Sequence, residues 1–128
     1  MAGDKPNLLA IVELGGYPNF TGLYQGLGFA VEFVNSQRRA MARLKKDPPD
    51  VIVAEYNFQS DFRDRTSNLE SLMARLQRQP QTKLIVFFQP DQVDKFERLR
   101  SRFPIFAALP FPVDPGLLEH ELRRAVSD

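Results

Sequence analysis

Cysteine and tryptophan are absent from the 128-residue chain, and histidine occurs once, at His120. Without thiolates there is no disulfide framework, no iron–sulfur cluster and no cysteine nucleophile. A single imidazole leaves out multi-histidine metal sites. No apolar run approaches the roughly 20 residues of a membrane-spanning helix. The opening Met1-Ala2-Gly3-Asp4-Lys5 lacks the apolar stretch of a signal peptide. A surplus of one charge sign is also missing, since 17 Lys and Arg face 16 Asp and Glu for a formal net charge of +1. A nucleic-acid binder carries a clear basic excess, so neither nucleic acid nor membrane is an expected partner. The cytoplasm is the expected compartment.

What is present is the composition of a folded domain, with 43% hydrophobic and 26% charged residues. The expectation is one domain over 5–127, with about two thirds of its surface buried and no need of a disulfide or metal staple. No residues follow Asp128, so no attached DNA-binding module is expected. Four runs are apolar enough to be buried strands: 8–12, 29–34, 51–54 and 84–88. A fifth, at 105–109, is weaker in strand propensity but as apolar. Runs apolar at nearly every position fit parallel strands covered on both faces.

Between the runs the spacing turns helical. Phe20, Leu23, Tyr24 and Leu27 share one face. Asn35 is the expected N-cap of a helix carrying Ala40, Met41 and Leu44, stopped by Pro48-Pro49. Leu69, Leu72, Met73 and Leu76 form a third face, ending near Pro80, and Val93, Phe96, Leu99 and Phe103 a fourth. Leu118, Leu122, Ala125 and Val126 form the last, with Asp114 as N-cap and Pro115 at the first helical position. Alternation of strand and helix five times implies an α/β sandwich with a parallel sheet and right-handed crossovers. Ligands in such folds collect at the carboxyl ends of the strands. The longest connection, 56–67, is polar but holds Phe58 and Phe62, candidates for an interaction patch.

Several pieces occur in an order that resembles the receiver domain of two-component response regulators, the chemotaxis-type or CheY-like fold. They are Gly28-Phe29-Ala30-Val31, the opening of helix two at 35–40, Pro48-Pro49-Asp50-Val51-Ile52-Val53, and Leu109-Pro110-Phe111 followed by Asp114-Pro115 and Leu118. The resemblance covers nearly the whole chain. It implies a three-layer, doubly wound, flavodoxin-like (βα)5 sandwich with a five-stranded parallel sheet in the order 2-1-3-4-5. It also implies a cis bond at Leu109–Pro110.

In that family two adjacent acids after strand one hold Mg²⁺, and an Asp ending strand three accepts the phosphoryl group. A Thr or Ser ends strand four and a Lys ends strand five. The carboxylates hold a hard cation, and cation and Lys together neutralise the transferring group. Matched to this pattern, the first acid is Glu13 and its neighbour Leu14, the acceptor Glu55, the hydroxyl position Phe88 and the lysine position Leu109. No part of the pattern survives unchanged, and three of the five positions are apolar. Glu carries its carboxylate one methylene further out than Asp, and a misplacement of about 1 Å costs about 100-fold in rate.

The resulting expectation is a pseudo-receiver. It is not an enzyme, needs no cofactor or metal, and signals through protein–protein contacts independently of Asp phosphorylation. The alternative is an atypical phosphorylatable receiver with Glu55, Asp61 or Asp64 as acceptor. A flavodoxin-like nucleotide or flavin binder is a third reading, but Leu14-Gly15-Gly16-Tyr17 supplies little of a phosphate loop. Glu55 as a phospho-Asp mimic is set against a solvated strand-end carboxylate, and loss of the Lys favours the latter. Glu13 and Glu55 alone make a weak cation pair. Phe106, three residues before Leu109, has the spacing of the family's switch aromatic, although core packing is the favoured reading of it. His120 reads as an exposed helical residue. A partner protein or a second copy is expected on the face of the fourth helix, fifth strand and fifth helix, where Arg98, Arg102, Glu119 and Arg123 mix both charge signs.

Overall fold

The computed structural model describes residues 6–12, 20–46, 48–56, 70–79 and 81–126. Among these residues five strands, β1 (Asn7–Ile11), β2 (Ala30–Val34), β3 (Val51–Glu55), β4 (Lys83–Phe88) and β5 (Ala107–Pro110), alternate with five α-helices. The helices are α1 (Thr21–Gly26), α2 (Gln37–Leu44), α3 (Glu70–Leu76), α4 (Val93–Arg100) and α5 (Pro115–Val126). All strand pairs are parallel and the order is β2-β1-β3-β4-β5, as expected.

The apolar runs are explained by cover on both faces. Strand residues alternate between two clusters. Leu8, Ala10, Val51, Val53, Ile85, Phe87 and Leu109 pack with Tyr24 of α1 and with Leu118, Leu122 and Ala125 of α5. Leu9, Ile11, Ile52, Ala54, Val86 and Phe88 pack with Ala40 and Leu44 of α2, Leu72 and Met73 of α3, and Phe96 and Leu99 of α4. The central β3 is buried throughout, whereas edge strand β2 exposes Ala30, Glu32 and Phe33.

Local chemistry sets the ends of the elements. Gly28 turns the chain from α1 into β2 at φ +95°, a left-handed conformation that favours glycine. The cap of α2 is Ser36 rather than Asn35. Ser36 is the extended residue before the helix, and its hydroxyl accepts the Arg39 N–H at 3.1 Å. Asp114 caps α5 as expected, its side chain accepting the Gly116 N–H at 2.9 Å. At the amino edge of the sheet, Asp50 accepts the Asn7 N–H at 2.7 Å and the Thr82 hydroxyl donates to the Pro49 carbonyl at 2.8 Å. Val93 and Val126, placed by spacing in the core, are 39% and 45% exposed.

The fifth strand differs most from expectation. It begins at Ala107, not Ile105, and runs through Pro110, which pairs with Phe88. An edge strand tolerates a proline at its end because no neighbour needs the missing N–H. The cis bond lies at Phe111–Pro112, and Leu109–Pro110 is trans. Leu109 and Pro110 belong to the sheet, and α5 begins at Pro115 as expected.

Candidate functional site

Parallel pairing sets the carboxyl ends of the central strands side by side. Ile11 pairs with Ala54 and Glu55 with Phe87, so Val12 leaves β1 beside the end of β3. The Val12 N–H donates to the Val34 carbonyl at 3.0 Å, which holds that residue against β2. Alternation along β3 sends Val51 and Val53 towards α1 and α5, and Glu55 continues that side.

There it borders a cavity of about 330 Å³. Val12, Phe20, Tyr24, Phe33 and Phe87 form much of its wall. Phe20 meets Phe87 edge to face at 5.9 Å and lies tilted by 54° against Tyr24 at 6.4 Å, so the aromatic side is internally packed. Glu55 is 4% exposed. The expected solvated carboxylate is thus corrected: the residue is enclosed because it extends a strand covered on both faces. Burial pushes the Tyr24 phenol well above its usual range.

Phe88, matched to the hydroxyl position, does not face this cavity. One residue on from Phe87, its ring lies in the opposite layer. There it stacks on Phe96 at 4.6 Å with 13° between the ring planes, and Tyr56 meets the same ring at 5.2 Å and 66°. Tyr56 is tied down through its N–H, which donates to the Phe87 carbonyl at 2.8 Å. Leu109, matched to the lysine position, is buried inside β5 in the α5 layer. The residue leaving the carboxyl end of β5 is Phe111, whose N–H donates to the Phe88 carbonyl at 2.8 Å. Both Leu109 and Phe111 are apolar.

Glu13, Leu14, the Gly15-Gly16 pair, Phe58, Asp61, Phe62 and Asp64 lie outside the described residues. Phe106 precedes β5, and its N–H donates to the Leu84 carbonyl at 2.9 Å. It therefore sits at the amino end of the sheet, away from Glu55. It is half-buried, with the Arg124 guanidinium 4.9 Å from the ring centre. Arg98, Arg102 and Arg123 are exposed, His120 is exposed as expected, and Arg123 pairs with Glu119 at 2.8 Å along α5. The helices α4 and α5, on opposite layers, flank the β5 edge.

Sequence reasoning did not find Val12, Phe20, Tyr24, Phe33 and Phe87 as the surroundings of Glu55. Period-two counting back from Glu55 would have found Val53. Nothing in a run such as Leu84-Ile85-Val86-Phe87-Phe88 tells which phenylalanine faces which layer. Among the described residues no three acidic or imidazole side chains gather in a metal-holding cluster, and no helix is long and apolar enough to cross a membrane.

No protein-family model matches the sequence. No curated protein matches it either. Solved structures do. A response regulator receiver domain from Clostridium thermocellum is 17% identical, with a TM-score of 0.75 over 94% of each chain. The signal receiver domain of an HD-domain-containing protein from Pseudomonas fluorescens is 19% identical, with a TM-score of 0.74 over 96% of this chain and 95% of that one. A chemotaxis response regulator of Vibrio cholerae is 21% identical, with a TM-score of 0.73 over 96% of this chain and all of the other. The likeness at these identities is one of fold: the chain has the CheY-like receiver fold, with its sheet order and its flanking helices.

Proposed function

We propose that this receiver-fold chain is a non-catalytic cytoplasmic signalling module that works by binding protein, independently of Asp phosphorylation. The observation that carries the reading is the company of Glu55. At the strand ends where phosphoryl chemistry needs several oxygen ligands and a cation, the neighbouring described positions are Val12, Phe87 and Phe111. Mg²⁺ demands near-octahedral oxygen coordination, and each charge partner missing from the transition state costs several kcal/mol. Protein binding is assigned to the β5 edge. Leu117 and Val126 on α5 and Val93 on α4 are exposed, as are Arg98, Arg102 and Arg123.

The test is incubation with acetyl phosphate and Mg²⁺ followed by intact mass. The mass should stay that of the unmodified chain. A covalent gain of one phosphoryl group would overturn the reading, and its position after proteolysis would identify Glu55 or a loop Asp as acceptor.

A further inference from the structure

The formal net charge of +1 hides a polarity along the strands. Crossover helices run opposite to the strands, so their last turns lie at the amino edge of the sheet. Basic residues gather there: Lys45 and Lys46 after α2, Arg78 after α3, Arg100 in α4 and Arg124 in α5. Lys83 opens β4 at the same edge. Acids stand at the other end, with Asp91 and Asp94 leading into α4 and Asp114 before α5. Helix dipoles favour this arrangement, but a recess among the cations adds a second feature. Between the end of α3, the start of β4 and the segment entering β5 lies a groove of about 260 Å³. Leu76, Leu84, Pro104, Ile105 and Phe106 give it an apolar lining, which Lys83 borders. Leu76 and Leu84 are buried, so this apolar surface is recessed rather than protruding. At about 30 Å³ per water-sized atom the groove has room for roughly eight non-hydrogen atoms, enough for a phenylalanine or leucine side chain.

The Thr82 N–H donates to the Gln79 carbonyl at 3.1 Å, and this turn sets exposed Arg78 at the border of the groove. The Gln79 side-chain amide donates to the Leu44 carbonyl at 3.4 Å, which brings exposed Lys45 and Lys46 to the same end. Arg100 and Arg124 are paired with Glu97 and Glu121 of their own helices. Among the described residues no carboxylate pairs with the side chains of Lys45, Lys46, Arg78 or Lys83. Asp50, an acid of this edge, has its carboxylate on the Asn7 N–H at 2.7 Å. A membrane surface is a poor fit, because it takes up protruding apolar side chains and these are recessed. A nucleic-acid backbone is a row of phosphates and leaves an apolar recess unfilled. An acidic protein segment with one large apolar side chain answers both features. Its side chain fills the groove and its carboxylates meet the cations around it.

We propose that the groove of Leu76, Leu84, Ile105 and Phe106, bordered by Arg78 and Lys83, docks an acidic protein segment through one aromatic or aliphatic side chain. This surface lies at the amino edge of the sheet, opposite Glu55, and is distinct from the exposed residues of α4 and α5 assigned to the β5 edge.

The probe is the peptide EDEDFEDE, with EDEDSEDE as its counterpart lacking the ring, titrated into the full chain and followed by amide chemical shifts and calorimetry. The ionic strength is physiological, so that charges beyond about 8 Å are screened. The ring-bearing peptide should bind saturably below about 1 mM, with shifts centred on Lys83, Leu84 and Ile105. The serine peptide should bind about tenfold more weakly, the effect of losing one buried apolar side chain. Arg78→Glu and Lys83→Glu should each weaken the ring-bearing peptide about tenfold, since an attraction becomes a repulsion. Arg38→Glu makes the same charge change at the other end of α2 and should alter binding less than about twofold. If Lys83→Glu does not fold by circular dichroism, Arg78→Glu, Arg38→Glu and the peptide pair decide alone. Absence of saturation, equal affinity for the two peptides, or equal losses from Arg38→Glu and Arg78→Glu would each overturn the proposal. Tighter binding of oligothymidylate or of phosphatidylserine vesicles than of the ring-bearing peptide would overturn it in favour of a nucleic acid or a membrane. Failure here leaves the β5-edge reading standing, because that surface is tested by self-association of the Arg98→Glu and Arg123→Glu variants.

Discussion

A carboxylate enclosed at the end of a buried strand behaves differently from one in water. Glu55 sits within an apolar lining, and millimolar Mg²⁺ should leave the thermal midpoint unchanged, since a weak site gives little linkage stabilisation. A saturable rise in midpoint would show that the residue holds the ion. The other buried titratable group in this lining, Tyr24, gives a pH prediction. Burial raises its pKa in the folded chain above the unfolded value of 10.0. The folded state thus keeps a proton that the unfolded state gives up above about pH 10. Its contribution is constant below that pH and destabilises the fold as pH rises further, by up to about 1.4 kcal/mol per pH unit. Urea unfolding from pH 8 to 11 should show this fall, and Tyr24→Phe should flatten it. An alkaline limb identical in the two proteins would count against the assignment.

Between elements, the stack of Phe88 on Phe96, with Tyr56 edge-on, joins the end of β4 to α4. Truncating Phe96, which is fully buried, removes one ring from two aromatic contacts and leaves a cavity. Phe96→Ala should cost about 3–5 kcal/mol in chemical denaturation. A loss under about 1 kcal/mol would mean that the layer closes over the gap. At the start of α2, Ser36→Ala removes the acceptor for the Arg39 N–H and should cost about 1 kcal/mol. Asn35→Ala should change stability much less, which separates the observed cap from the one that residue type suggested.

For the molecule as a whole, β5 and β2 are the sheet edges, and α4 and α5 flank the first of them. A two-fold contact across β5 would set like patches against each other, so mixed charge on one patch is what permits self-complementarity. Self-association, where it occurs, should be independent of phosphodonor and should weaken with salt as rim charges are screened. Sedimentation at several concentrations and two salt levels, comparing Arg98→Glu and Arg123→Glu with the parent, tests this. A strictly monomeric parent at high concentration, or a dimer untouched by both substitutions, would remove self-association from the proposal. Arg123→Glu also breaks the pair with Glu119, so a helix-content control accompanies it.

The strand runs, the helical spacings and the Asp114-Pro115 helix start were legible in the sequence because each depends on residues close together along the chain. Burial on both faces made the central strands apolar at nearly every position, and that was enough to read a parallel α/β sheet. The same uniform apolarity hid the site. A run without alternation carries no mark of which side chain faces which layer, so Phe87 beside Glu55 and Phe88 against Phe96 were indistinguishable before the strands were paired. The length of β5 was hidden for a related reason. Pro110 looks like the start of a turn, and only its place on an edge strand, opposite Phe88, makes it a sheet residue. The enclosure of Glu55 was likewise decided in three dimensions. A strand-end glutamate is exposed or buried according to what the neighbouring strands and α1 bring alongside it, and Val12, Phe20 and Phe87 come from three separate parts of the chain.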